Sequence, residues 1–363
     1  MNENICNKVV TIPQYIGTCW LNAVLMMFFY SQNSRNFLIK KKFFIKKKNK
    51  LEEILYDIIY TYYLEPKRAI DFFNIMRPEE ILKEYKFKKQ IYENMIKNGW
   101  YPKIFISKFL NKIKVNHLIL EHYDNNIFVG INKYIHNYIN NLGQYILHIK
   151  YCNLNYDYIR EKNRNYKKTP QYIIINLWEN NDTLMKELKN HDDINKIYNI
   201  KHFDTTYNFK GLYEFKDKII FNGHTYKLDS CCITNYNIKY KLAHAIAGIT
   251  CENNKYIYNG WVRNTLDYNI KDKLENNLPC ELMKYNWDIH KPNNKFCLNH
   301  RKCSIKNLPK TIDDELCFSL NKGDRTLVYI LCDDKKCPEN KILNPKTNRC
   351  INKDGKIAKK IVK

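Results

Sequence analysis

Glycine and proline are scarce in this chain, ten of each in 363 residues. The scarcity accompanies an excess of Lys, Asn, Ile, Tyr and Phe, the residues that AT-rich codons specify. Long apolar runs are missing too. The most apolar stretch, Ala23 to Tyr30, is too short to span a bilayer. The N-terminal MNENICNKVV lacks the basic-then-apolar layout of a secretory leader. A soluble intracellular protein with no membrane partner is therefore expected. No internal repeat is apparent. Hydrophobic residues make up 44%, which excludes a disordered chain and suffices for one large domain or two ordinary ones.

Acidic residues are outnumbered, 37 against 61 basic ones, for a formal charge of +24. Such a charge suits nucleic acid, but codon bias accounts for much of it, so nucleic acid is an alternative partner rather than the favoured one. The densest basic run, Lys40 to Lys50 (KKKFFIKKKNK), reads as a solvated loop between two helices or as a patch for an acidic partner or nucleic acid. The 13 cysteines are an odd number and are scattered, unlike a compact secreted disulfide framework. They read as buried apolar residues, catalytic thiols or metal ligands, with Cys231, Cys232 and Cys251 as packing residues. Cys297, His300 and Cys303 could ligate zinc with Cys280 or Cys317 as a fourth ligand, at spacings that are not those of a standard finger. No other cofactor is expected.

Apolar periodicity predicts helices from Cys19 to Tyr30, Leu51 to Glu65, Ala69 to Tyr85, Tyr101 to Ile113 and Leu184 to Ile200. From Val115 the texture becomes short, Ile- and Tyr-rich segments: VNHLILEHY, YILHIKY and QYIIINLWE. KIIFNG, TYKLDSCCIT, KLAHAIAGITC and KYIYNGWV predict an antiparallel sheet, and TLVYILC (Thr326 to Cys332) adds a last strand. The expected organisation is α+β: a helical lobe (1–114), a β-rich lobe (115–333) and a polar, Lys-rich tail (334–363).

One cysteine stands out. In PQYIGTCWLNAVL, Gly17 and Thr18 break structure and the helical pattern begins at Cys19. A helix N-terminus offers partial positive charge and free N–H groups, which favour a thiolate and can hold an oxyanion. Gln14, five residues upstream, offers a second oxyanion donor. A thiol nucleophile needs an imidazole oriented by Asn or Asp. His244 lies in KLAHAIAGITC, and Asn259 follows fifteen residues later in KYIYNGW. Two strands joined by the turn Cys251 to Lys255 would set them side by side, with Trp261 covering the hydrogen bond. His224, in NGHTYK, is the rival base.

GTCWLNAVL resembles the cysteine box of papain-like peptidases and, more closely, that of ubiquitin-specific proteases, through Gly17, Thr18, Cys19, Trp20, Asn22 and Leu25. TYKLDSCCITNYN followed by AHAIAGITCENNKYIYNGW resembles their histidine box, with Tyr226 and Leu228 matching its opening and Ala243 and Ala245 standing where that family has Gly and Tyr. TLVYIL is similar to the strand that closes that fold. The resemblance implies a papain-like cysteine protease fold and a thiol hydrolase. Cys19 would be its nucleophile, His244 its base, Asn259 the orienting residue and Gln14 the oxyanion donor. The implied substrates are ubiquitin or ubiquitin-like protein conjugates.

CPENKILNPKTNRCINKDGKIAKK resembles a two-cysteine adaptor module of large DNA viruses, through Cys337, Asn344, Pro345, Arg349, Cys350, Asp354 and Gly355. It implies a viral or host docking partner for residues 337–360, and a place in the host cytoplasm or virion. Cys337 and Cys350 could form one disulfide; a disordered basic tail is the other reading. Two further functions stay open: a viral thiol protease that processes virion proteins, and a basic nucleic-acid- or virion-binding protein with a degenerate site.

Overall fold

The computed structural model describes residues 5–14, 17–61, 63–64, 78–85, 92–93, 95–96, 99–100, 102–123, 126–129, 144–147, 149–150, 153–154, 169–178, 202–204, 216–221, 224–237, 242–261, 280–299, 303–306, 316–321, 323–332, 340–344 and 349–355. Every residue from Cys19 to Tyr30 is buried. A helix apolar on all sides belongs inside a core, and this segment forms α1 (Cys19–Leu25), prolonged by a π-helical turn (Met26–Tyr30). Around it stand α2 (Gln32–Lys40), α3 (Lys50–Tyr56, prolonged by the π-helical turn Asp57–Thr61), α4 (Pro78–Lys83) and α5 (Pro102–Lys112). Pro78 opens α4, where its missing N–H costs nothing. The predicted helix from Leu184 to Ile200 lies outside the described residues.

The strands are β1 (His117–Tyr123), β2 (Asn126–Val129), β3 (Gln144–Leu147), β4 (Ile149–Lys150), β5 (Asn153–Leu154), β6 (Tyr172–Trp178), β7 (His202–Asp204), β8 (Lys218–Phe221), β9 (His224–Asn237), β10 (Leu242–Cys251), β11 (Asn254–Tyr258), β12 (Met283–Lys284), β13 (Phe296–Asn299), β14 (Ser304–Lys306), β15 (Cys317–Phe318), β16 (Arg325–Leu331), β17 (Lys341–Asn344) and β18 (Arg349–Asn352). The protein is thus α+β. Among the described residues eleven strands form one sheet in the order β12-β11-β10-β9-β16-β6-β1-β2-β7, with β3 beside β1 and β8 beside β9. β8 to β11 are antiparallel as their sequence predicts. β1, in contrast, pairs in parallel with both β3 and β6. The expected closing strand, β16, is central, between β9 and β6.

Both faces of this sheet are covered, which explains its unbroken apolar runs. Tyr172, Ile174, Ala245, Ala247, Ile249, Val328 and Ile330 join the helices in one core. Ile173, Ile175, Ile246, Leu327 and Tyr329 join Trp287 and the small sheet β14-β13-β15 in a second. The helices of residues 1–114 and the strands of 115–333 therefore share a core. In residues 334–363 the described part is the antiparallel hairpin β17–β18. Over those residues the tail is paired strand; Cys337 lies outside the described residues. No helix among them is long and apolar enough to cross a membrane.

The junction between α1 and α2 is held by the sheet. The β9–β16 register shifts between Val328 and Tyr329, leaving Asp229 as an extra residue between Leu228 and Ser230. Such a bulge turns two successive side chains to one face. Ser230 Oγ donates to the Met27 carbonyl at 3.3 Å. The Asp229 carboxylate accepts the backbone N–H groups of Asn33 (3.1 Å) and Ser34 (2.9 Å), with Ser34 Oγ and Thr250 Oγ1 also donating to it. Ser31, the N-cap residue of α2, makes no side-chain cap of its own, so the cap comes from β9. Elsewhere Lys103 of α5 reaches Asp324, just before β16, at 2.8 Å in a buried ion pair.

Replacing Asp229 by Ala leaves the buried Ser34 N–H without an acceptor and removes the partner of the half-buried Asn33 N–H. Urea unfolding should show a loss of about 2–4 kcal/mol, and Asp229→Asn a smaller loss. An unchanged midpoint in Asp229→Ala would show that the trans cap contributes nothing.

Candidate active site

Cys19 is the first residue of α1, with Thr18 as N-cap. The neighbouring box residues hold the helix in place. Trp20 packs edge-on against Phe105, ring centroids 5.3 Å apart, and its Nε1–H donates to the Met95 carbonyl. Asn22 Nδ2 donates to the Pro13 carbonyl at 3.1 Å, and the Tyr258 hydroxyl donates to the Ile12 carbonyl. These bonds seat the segment ending at Gln14 beside the helix. The Gln14 N–H donates to the Gly260 carbonyl at 2.6 Å, and Gln14 forms a parallel bridge with Trp261. A Cβ at Gly260 would stand 2.6 Å from the Tyr258 hydroxyl and 3.0 Å from Gln14 Cβ. The Gly of NGW is thus required by close approach.

The β10–β11 hairpin turns at Glu252 (φ 46°) and Asn253 (φ 62°), the two left-handed positions of a tight hairpin. Its register sets Ala247 opposite Tyr258, so His244 and Asn259 share one face. His244 Nε2 lies 2.8 Å from Asn259 Oδ1. The amide oxygen only accepts, so Nε2 carries the proton and Nδ1 is left as the basic nitrogen. The Trp261 N–H donates to the same Oδ1 at 3.4 Å, and the indole lies 4.8 Å from the imidazole, centroid to centroid. His244, Asn259 and Trp261 are thus in mutual contact. His224 does not compete. It sits at the start of β9, beside Thr169, eleven positions from Asn235, the strand partner of His244, or ~35 Å of strand.

The thiol and the imidazole approach β10 at consecutive residues. The backbone N–H groups of Ala245, Trp20 and Cys19 itself lie near the Cys19 sulfur and favour its thiolate. Strand alternation sends Ala245 into the core that holds Cys19. It sends His244 to the other face, beside Trp261 and Phe318. Among the described residues no hydrogen bond joins the thiol to the imidazole: the expected direct contact between Cys19 and His244 is not formed, and the two side chains leave opposite faces of β10. Burial dominates both groups. It pushes the Cys19 thiol up, against the pull of the three N–H donors. It holds His244 down at about 4, against the Asn259 bond. Thiol and imidazole are both neutral at pH 7, and each is under 10% exposed (8% and 7%).

The zinc expectation at Cys297, His300 and Cys303 is overturned. Cys297 is disulfide-bonded to Cys317, and Cys280 to Cys303; paired sulfurs are no longer thiolate ligands. His300 lies outside the described residues. Cys251 is likewise not a free packing residue but is bonded to Cys6. Cys231 and Cys232 are buried free thiols. The Cys6–Cys251 pair is 245 positions apart, and spacing carries no sign of it; the other two pairs, 23 and 20 positions apart, involve the cysteines read as zinc ligands.

No protein-family model matches the chain, and no curated protein matches it. Among solved structures, the crystal structure of an essential yeast splicing factor is similar over 90% of this chain and 70% of that one. The identity is 9% and the TM-score 0.40, too remote a likeness to bear on function.

Acid should expose the burial of the imidazoles. His117 is also held at about 4 by burial, opposed by its bond to the Val115 carbonyl. A ring whose folded pKa lies below its unfolded one binds protons more readily when unfolded. Its contribution is complete above pH ~6.5 and is lost as the pH falls toward ~4, on the order of 3 kcal/mol per ring. Urea midpoints measured across that window should fall steeply, and His244→Gln should flatten the slope by about one ring's share. An unchanged slope would mean that His244 is solvated in the folded chain.

Proposed function

We propose that the chain is a cysteine-type hydrolase of papain-like fold, acting on the C-terminal tail of ubiquitin or a ubiquitin-like protein. One observation carries this reading. An imidazole oriented by Asn259 and covered by Trp261 stands one residue along β10 from Ala245, which shares a core with the helix-terminal thiol. Cys19 attacks the scissile carbonyl, His244 takes its proton and returns it to the leaving amine, and water then hydrolyses the thioester. The Cys19 N–H and Gln14 hold the oxyanion. Because the pair is neutral and the two side chains leave β10 on opposite faces, proton transfer in this reading requires the β10 backbone at His244 and Ala245 to shift, not only the ring to turn, when a substrate tail enters. The substrate class comes from the resemblance of the cysteine and histidine boxes, and docking through residues 337–360 from that of the tail.

The test is covalent labelling by an electrophilic ubiquitin C-terminal probe. The parent chain should form one adduct, and Cys19→Ala none. His244→Ala should slow labelling by roughly 10²–10⁴-fold, and Gln14→Ala by roughly 10²–10³-fold. Labelling that survives in Cys19→Ala would overturn the nucleophile. Absence of labelling in the parent, with cleavage of a virion protein that depends on Cys19, would overturn the substrate and keep the chemistry.

A further inference from the structure

The basic run between α2 and α3 is a built structure. Lys42, Phe44 and Lys47 sit at positive φ (53°, 62° and 42°), a region costly for residues with a Cβ. The run is nevertheless fastened at both ends. The Lys42 and Phe43 N–H groups donate to the carbonyls of Ile39 and Leu38, and the Lys47 N–H to that of Phe44. Phe44 is buried against Phe29, and Phe43 packs on Phe37, its carbonyl accepting from the Tyr60 hydroxyl. The Lys47 ammonium lies 3.9 Å over the Tyr56 ring and reaches Asp57. The Asn49 side chain accepts from the Glu52 N–H, and Glu52 accepts from the Lys48 N–H.

This framework turns two phenylalanines inward and the next apolar residue outward. Ile45 is 48% exposed, between exposed Lys41 and Lys42 on one side and exposed Lys46 and Lys48 on the other. The residues from Lys40 to Lys50 include seven lysines and no acid or arginine.

We propose that this loop docks the protein on an anionic phospholipid surface, Ile45 entering the headgroup layer and the surrounding ammonium groups meeting lipid phosphates and carboxylates. An apolar tip ringed by lysines matches the two components of such a surface. It lacks the stacking aromatics of a single-strand binding groove, since Phe43 and Phe44 pack inward, and an exposed aliphatic tip has no partner on a phosphate backbone, to which lysines bind by charge alone. This surface is independent of the hydrolase reading, and it adds a peripheral lipid partner that the sequence did not call for.

The experiment is co-sedimentation with phosphatidylcholine vesicles, with and without phosphatidylserine, beside titration with double-stranded DNA. The chain should pellet with the serine-lipid vesicles and not with the neutral ones. Combined replacement of Lys41, Lys42 and Lys46 by Ser should weaken pelleting on the order of 10²-fold, about fivefold per lysine. Ile45→Ser, which keeps the charge, should weaken it roughly tenfold and leave DNA binding unchanged. Replacing the exposed Lys216, Lys218 and Lys353 by Ser removes the same charge elsewhere and should have little effect. The proposal is overturned by no pelleting on anionic vesicles, by parental pelleting in Ile45→Ser, or by equal weakening in the control variant. DNA that strips the chain from vesicles and depends on the same three lysines would assign the loop to nucleic acid instead.

Discussion

The structure depends on the burial of one helix whose every side is apolar. A segment such as Cys19 to Tyr30 cannot meet water, so the chain must surround it, and its backbone ends must find partners inside the core. β9 supplies them. The bulge at Asp229 breaks strand alternation so that a carboxylate and a hydroxyl both reach the helical layer. The carboxylate closes the start of α2 and the hydroxyl takes the Met27 carbonyl. Without the bulge, Asp229 and Ser230 would point to opposite faces, and one of the two bonds would be lost.

The same burial sets the character of the candidate site. Cys19 gains a helix N-terminus and three N–H donors, yet desolvation outweighs them and keeps the thiol protonated. His244 gains an oriented proton on Nε2, yet desolvation keeps the ring neutral. The site is therefore arranged but uncharged at rest.

Much of the framework was legible. KLAHAIAGITC, the polar turn and KYIYNGW encode a hairpin, and a hairpin of that length forces His244 and Asn259 onto one face. Trp261, two residues beyond Asn259, falls on the same face for the same reason. The helices beginning at Lys50 and Pro102 were visible in their apolar periodicity. Less was legible where partners are distant. QYIIINL and TLVYIL announce strands but not neighbours, and their pairing across β6 and β16 brings together residues some 150 positions apart (Thr326 Oγ1 to Asn176 Oδ1, 2.8 Å). The basic run looked solvated because its lysines are, while the inward turn of Phe43 and Phe44 depends on contacts with α2 and the turn after α3.

The sequence by itself determined the buried helix that opens on a cysteine, the histidine–asparagine hairpin and the alternation of strands beyond Val115, because these follow from local periodicity and turn chemistry. Tertiary structure alone decided that Asp229 caps a helix from a distant strand, that Cys6 pairs with Cys251, and that Cys19 and His244 meet one strand from its two faces. Those outcomes depend on which distant segments become neighbours. Neighbourhood is set by the burial of the whole apolar surface, not by any short window of residues.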